Sequence, residues 1–438
     1  MSNSPIWHPF TQHAIAPEAI QIDRASGAYV FARKKNQSSN AEEQRIIDAI
    51  SSWWVITHGH CHPHITESVQ EQAAKLDQVI FAGFTHEPAE KLAARMSDLT
   101  AKSFGQAYEH AFFSDSGSTS VEVALKMAIG YWAQTGRARR KILALEDGYH
   151  GDTFGAMSVS GRSQYNDLYN PFLFDVEHLL VPEEGKEALT LQRLEDYLKK
   201  NKDQVAAFIF EPLLMGAGGM KIYSPQVLKQ MADMCRENGV LLIADEVMTG
   251  FGRTGTMFAS EQAGVMPDIM CLSKGMTGGF LPMGLTLCND NIFQAYYQKD
   301  RSKMFFHSTS FTGNALSCTA ANASLDIWES EPVFERIKRI TKSHETAALD
   351  FSQHNNIANI RQKGTVLALD IVMDDEKGTD YLSEIQPRLY NLAMEKNVLL
   401  RPLGNTLYVL PPYCVTDDDL QEIYSTVKSV AAQVAASD

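Results

Sequence analysis

The chain has 438 residues, 44% hydrophobic, 21% charged and 9% aromatic, enough to bury large cores in two or three structural units and far from a disordered composition. A net charge of −14 argues against a chain-wide attraction to nucleic acid or anionic membranes, and leaves the binding of an anion to local devices such as helix N-termini. The cysteines, Cys61, Cys235, Cys271, Cys288, Cys318 and Cys414, are scattered without a CxxC pair, which predicts free thiols and no disulfide or zinc framework.

Residues 1–9 have neither the basic region nor the apolar stretch of a secretory signal. The longest apolar runs, such as Val205 to Phe210, are strand-length and too short to span a bilayer. A cytoplasmic protein is expected.

In chain order, Ala111-Phe-Phe reads as a strand running into Ser114-Asp115-Ser116-Gly117-Ser118-Thr119, and the apolar periodicity from Val121 predicts a helix. Buried strands are predicted at Lys141–Leu145, Val205–Phe210, Val240–Ala244 and Asp268–Leu272, with a helix from Ser224 between the second and third. Strands alternating with helices predict crossover units on a mostly parallel sheet covered on both faces. A long helical stretch over Ser317–His344 and strands from Val366 and Thr406 follow. The expected division is a large α/β domain over residues 60–320 and a smaller α+β domain built from residues 1–59 and 321–438.

Ligands of open parallel sheets sit beyond the carboxyl ends of the strands. Three predicted strand ends carry reactive groups there: Asp245-Glu246, Ser273-Lys274-Gly275, and Ser114 to Thr119. Gly275 and the pair Gly278-Gly279 let backbone pass close to a ligand, so Lys274 is a candidate Schiff-base amine as well as a candidate salt-bridge partner. Ser116 to Thr119 opens a helix with small residues, which suits either a phosphate or an ordinary N-cap. A lysine, a carboxylate and a phosphate cradle together are what a pyridoxal cofactor requires.

Asp245-Glu-Val-Met-Thr-Gly-Phe-Gly-Arg-Thr-Gly, Pro267-Asp-Ile and Ser273-Lys-Gly-Met-Thr-Gly-Gly-Phe-Leu-Pro, with Asp245 and Lys274 29 residues apart, resemble the signature of the class III pyridoxal-phosphate aminotransferases. Ile6-Trp-His-Pro-Phe-Thr-Gln, Ser51-Ser-Trp-Trp, Gly148-Tyr-His-Gly-Asp-Thr-Phe-Gly-Ala-Met-Ser and Arg401-Pro-Leu-Gly are similar to the branch of that family serving biotin synthesis. The resemblance runs through nearly the whole chain. It implies a fold-type I transferase with a mostly parallel seven-stranded sheet in its large domain, a homodimer, and pyridoxal 5′-phosphate as cofactor. The implied reaction is amino transfer to 8-amino-7-oxononanoate, with S-adenosylmethionine as donor or lysine as the alternative; another class III ω-amine aminotransferase is the further alternative.

The resemblance also implies roles. Lys274 would carry the cofactor aldehyde and move the substrate proton, Asp245 would pair with the pyridinium N–H, and Tyr149 would lie against the ring. Gly117 and Ser118 would bind the phosphate, joined across a dimer interface by Thr309 and Ser310. Arg401 would hold the acceptor carboxylate, with Trp53, Phe10, Tyr149 and Ser308 lining the substrate site. Phe10 stands where adenosylmethionine-using members have Tyr, and Ser308-Thr309 stand where others have Gly followed by Pro or His. The pair Trp53-Trp54 favours the adenosylmethionine-using members.

Two other motifs compete. Gly250-Phe-Gly-Arg-Thr-Gly255 satisfies GxGxxG, but Asp245 and Glu246 just before it would repel a pyrophosphate. His58, His60, Cys61, His62 and His64 suggest metal ligands, yet alternating residues on a short loop cannot all face one ion, and no metal is expected.

Overall fold

The computed structural model describes residues 5–33, 43–372 and 385–435. Residues 1–4 of the N-terminal segment, and 34–42, 373–384 and 436–438 of the expected smaller unit, lie outside it.

The central sheet has seven strands, in the spatial order His110–Ser114, Gly284–Cys288, Ile269–Leu272, Leu241–Asp245, Val205–Phe210, Lys141–Leu145 and Glu177–Leu179. Gly284–Cys288 runs antiparallel to both neighbours and the other pairings are parallel. Alternation along each strand divides the side chains between two helical layers. Phe208, Phe210 and Leu242 pack with Leu194 and Leu198 of helix Glu187–Lys200 and with Leu228 and Met231 of helix Pro225–Glu237. Ala207, Ile209 and Ile243 pack on the other face with Val121, Ala124 and Ala128 of helix Gly117–Gln134. Burial of both faces is why Val205–Phe210 is apolar at every position.

The chain ends meet in a second group of sheets. Ile22–Ser26, Tyr29–Ala32 and Gln44–Asp48 form an antiparallel run, which Val398–Leu399 joins in parallel. Ile357–Lys363, Val366–Ile371 and Thr406–Val409 form a three-stranded antiparallel sheet. Its inner residues Leu367, Leu369 and Val409 share a core with Ile337 and Ile340 of helix Val333–Phe351 and with Val427 and Val430 of helix Asp417–Ala435.

The helical stretch expected over Ser317–His344 is two helices, Ala315–Ser330 and Val333–Phe351. Pro332 makes the break: it has no N–H to donate and it drives Glu331 to an extended φ of −115° and ψ of 156°. Helix Ala315–Ser330 runs across the expected division at residue 320. All the cysteines are free thiols, and no helix among the described residues is long and apolar enough to cross a membrane.

Candidate active site

Because the parallel strands share one direction, their carboxyl ends deliver side chains to one crevice. Ser116 to Ser118 follow His110–Ser114, Tyr149 and His150 follow Lys141–Leu145, and Glu211 follows Val205–Phe210. Asp245 ends its own strand, and Lys274 follows Ile269–Leu272. They meet around a cavity of about 520 Å³ that Phe10, Trp53, Trp54 and Arg401 also line.

Asp245 is buried, with Oδ2 2.7 Å from His150 Nδ1 and Oδ1 accepting the Val247 N–H at 3.1 Å. These partners fix the plane of the carboxylate at the cavity wall. His150 is itself placed by a backbone N–H donated to Ser160 Oγ at 2.9 Å. Lys274 has a left-handed φ of 43°, and its ammonium lies 4.7 Å from the centroid of the Trp54 ring. Burial pushes its pKa down to about 8, against the pull of Asp245 and Glu211. Gly275 beside it is required by space, since a Cβ there would come within 2.9 Å of Thr57 Cγ2.

Glu211 accepts the Tyr149 N–H on Oε1 and the Gly216 N–H on Oε2, each at 2.9 Å. Burial raises its pKa to about 7. The Tyr149 phenol is raised as well, by burial and then by Asp152.

At the helix start Ser116 is the N-cap, with Oγ accepting the Thr119 N–H at 3.2 Å while Thr119 Oγ1 accepts the Ser116 N–H at 2.8 Å. Ser116 is thus an N-cap and, with Gly117 and Ser118, also a wall of the cavity. The first turn of a helix leaves N–H groups without intrahelical acceptors, and those of Gly117 and Ser118 belong to it. A Cβ on Gly117 would lie 2.7 Å from Val247 Cγ1, and one on Gly151 would lie 2.0 Å from Ser118 Oγ, so these two positions admit only glycine without a shift of their neighbours.

Also lining the cavity, the Arg401 guanidinium lies 4.7 Å from the Trp53 ring centroid. Its Nε is buried without a partner, and no carboxylate among the described residues pairs with it. Phe10 packs edge-on against Trp53 at 5.6 Å and Tyr165 at 5.9 Å. Trp53 and Trp54 sit on a left-handed turn, Ser51 to Trp54, with φ values of 54°, 45°, 70° and 73°. Such backbone costs a non-glycine residue about 1–2 kcal/mol, so the surrounding structure must hold it.

The cavity therefore brings together Lys274, Asp245, Tyr149, Gly117, Ser118, Trp53, Phe10 and Arg401. Ser308, Thr309 and Ser310 do not line it within one chain; Thr309 Oγ1 donates to Asp115 Oδ1 at 2.8 Å, outside the cavity wall. Sequence reasoning gave no role to Glu211 or His150 and used Trp54 only as half of the pair Trp53-Trp54. Glu211 follows an apolar run as Asp245 does, so the same strand-end rule would have found it.

The competing motifs have other roles. His58, His60, His62 and His64 each face a separate partner, Ser324, Asp48, Glu331 and Asp326. No cluster of metal-ligating side chains occurs among the described residues. In the GxGxxG segment, Arg253 is fully buried and donates to the carbonyls of Trp54, Ile56 and Pro411, tying the segment to the cavity wall instead of opening a phosphate site.

The family pattern of aminotransferase class-III matches residues 14–430. The chain belongs to the class III aminotransferases. It is 43% identical to the adenosylmethionine-8-amino-7-oxononanoate aminotransferase of Synechococcus elongatus, over 99% of this chain and 100% of that one. The Helicobacter pylori enzyme of the same name is 36% identical over 95% and 93%. Among solved structures, the Methanocaldococcus jannaschii adenosylmethionine-8-amino-7-oxononanoate aminotransferase superposes with a TM-score of 0.90 at 32% identity, covering 98% and 97%. An amine transaminase from an uncultivated Pseudomonas species, in its PLP-bound form, gives 0.89 at 30% identity, covering 98% and 99%. The fold is that of the fold-type I aminotransferases.

The residues of this class III aminotransferase fit the cofactor that membership implies. A buried amine with a lowered pKa stands near a carboxylate fixed by two donors, and a helix start with a crowded glycine, Gly117, lines the same cavity.

Proposed function

We propose that this class III aminotransferase uses pyridoxal phosphate to convert 8-amino-7-oxononanoate to 7,8-diaminononanoate, the biotin-pathway reaction, with S-adenosylmethionine as donor. The observation that carries the reading is a pairing within one cavity: the amine of Lys274, beside the Trp54 ring, and the guanidinium of Arg401, over the Trp53 ring, both line it. Full-length similarity to enzymes named for that reaction supports the choice of acceptor.

Bound pyridoxal phosphate supplies an aldehyde that takes the amino group from the donor for delivery to the acceptor carbonyl, and a ring that draws off the electron pair. The chain's own residues do the rest. Lys274, with a pKa near 8, has an accessible neutral form at physiological pH; it can attack an aldehyde and accept or return the proton at the substrate carbon. Asp245 holds the ring N–H, its carboxylate aimed by His150 and the Val247 N–H. Gly117 and Ser118 offer backbone N–H groups to the phosphate. Glu211 fixes the backbone of Tyr149, which lines the ring. Arg401 takes the acceptor carboxylate by a two-point bond, its plane set by stacking on Trp53. Phe10, Trp53 and Tyr165 form an aromatic wall of the cavity.

A cytoplasmic homodimer completes the reading. Ile80, Phe84, Phe306 and Phe311 are each at least 60% exposed in the isolated chain, and a second copy is the occupant that would cover them. In that arrangement Ser308, Thr309 and Ser310 are the residues offered to the partner's cavity.

The test is a half-reaction scan of the purified yellow enzyme with S-adenosylmethionine, lysine and simple amines, followed by addition of 8-amino-7-oxononanoate. Formation of 7,8-diaminononanoate by mass spectrometry, fastest with S-adenosylmethionine, is expected. A change of absorbance with simple amines but no diaminononanoate with any donor would make the chain an ω-amine transaminase of another acceptor.

A further inference from the structure

The left-handed turn from Ser51 to Trp54 carries both indoles of the cavity, and local sequence gives it no glycine to ease the conformation. Something outside the turn must hold it. Its own backbone closes Trp54 N–H to Ile50 O at 2.8 Å and Val55 N–H to Ser51 O at 2.9 Å, and Ser51 Oγ is tied to Leu410 O at 2.7 Å. Arg253 also donates to Trp54 O at 3.2 Å and Ile56 N–H to Ser51 O at 3.0 Å, but Ser52 at the centre of the turn is held by one carboxylate. Asp48 has no exposed surface and accepts from Ser52 N–H at 2.9 Å, Ser52 Oγ at 2.7 Å, Ile50 N–H at 3.3 Å and His60 Nε2 at 2.8 Å. The backbone of His60 is anchored independently of this contact, since its N–H and C=O both bond to Gly27, at 2.7 and 3.1 Å. The turn is thus held by a carboxylate at the end of strand Gln44–Asp48, and that carboxylate is bonded in turn to the imidazole of a residue whose backbone is anchored to Gly27.

We propose that Asp48 and His60 are positioning residues whose buried hydrogen-bonded pair holds the Ser51–Trp54 turn in its left-handed form. They thereby set Trp54 against Lys274 and Trp53 against Arg401. The pair touches neither substrate nor cofactor and acts through the two indoles. The kinetic consequence rests on the reading that this cavity takes a carboxylate acceptor; the structural consequence does not. If the turn relaxes, Trp53 leaves the Arg401 plane, and the acceptor carboxylate loses an oriented guanidinium before the chemistry at Lys274 is affected.

The test uses the holoenzyme with Asp48→Asn, His60→Ala and His60→Gln. Asp48→Asn keeps the shape but replaces one accepting oxygen by an amide that donates. The expected result is an altered tryptophan band in near-ultraviolet circular dichroism and an acceptor KM raised about 10-fold or more, with kcat changed much less. His60→Ala is expected to shift both readouts in the same direction, and His60→Gln, which retains a donor, to restore them to within about 3-fold of wild type. Should Asp48→Asn fail to fold, the His60→Ala and His60→Gln pair decides alone. A lowered thermal midpoint with unchanged tryptophan band and unchanged KM would reduce the pair to a structural role and overturn the proposal, as would equal losses in His60→Ala and His60→Gln. If wild type itself does not aminate the acceptor, the reading of the reaction fails, and the tryptophan band, which needs no substrate, still decides the role of the pair.

Discussion

His150 Nδ1 lies 2.7 Å from Asp245 Oδ2, across 95 residues of sequence, with both side chains buried. The carboxylate proposed to hold the ring N–H is therefore not free to rotate: the imidazole holds one oxygen and the Val247 N–H the other. A hydrogen bond to a charged group in such a place contributes about 1.5–3 kcal/mol, roughly 10- to 100-fold in an equilibrium. Replacing His150 with Phe is expected to weaken pyridoxal-phosphate binding by that factor, read by titrating the cofactor-free protein and following absorbance. Cofactor affinity equal to wild type would show that Asp245 needs no support from His150.

Lys274→Ala is expected to abolish amino transfer while far-ultraviolet circular dichroism stays that of wild type; substantial residual turnover would sink the mechanism. A second effect follows from its depressed pKa. In the cofactor-free protein the folded value of about 8 lies below the unfolded 10.5, so between these pH values the unfolded chain holds a proton that the folded chain has released. Stability should rise with pH over that window, and the rise should be smaller in Lys274→Ala, measured by urea unfolding at the two ends.

Glu211 works with the opposite sign. Its folded pKa of about 7 lies above the ordinary 4.5, so the folded chain keeps a proton that the unfolded chain gives up. The stability it contributes is full below about pH 4.5 and is lost as the pH rises through 7, on the order of 3 kcal/mol. In cofactor-free Glu211→Gln this fall should vanish. Parallel pH–stability curves for wild type and variant would count against it.

Arg401→Ala should raise the acceptor KM by roughly 100-fold, the worth of a charge-assisted two-point bond, while the donor half-reaction changes far less. Arg401→Lys should recover only part of the loss, because an ammonium offers neither the fork nor the flat face that lies on Trp53. Stopped-flow measurement of the two half-reactions separates the effects; equal losses in both would contradict the carboxylate role.

Several features were legible from local pattern because they follow from the strand-end rule. Asp245 and Lys274 each follow an apolar run, and parallel strands must deliver them to the same edge, as they do on adjacent strands. Gly117 and Ser118 were legible as a helix start, since small residues precede the periodic run from Val121. Strand Gly284–Cys288 and the sheets of the N-terminal residues were not singled out. Antiparallel insertion between Ile269–Leu272 and His110–Ser114 depends on long-range pairing that no local period records.

The sequence by itself determined the chemistry-bearing residues, the cofactor class they suit and the parallel architecture that gathers them, because side-chain periodicity and strand-end polarity are local properties. Only the tertiary structure decided that His150 braces Asp245, that Glu211 holds Tyr149, and that Asp48 and His60 clamp a strained turn bearing Trp53 and Trp54. Most of these are hydrogen bonds between segments distant in sequence, and even the short span from Asp48 to His60 is bridged by a conformation that residue propensities disfavour.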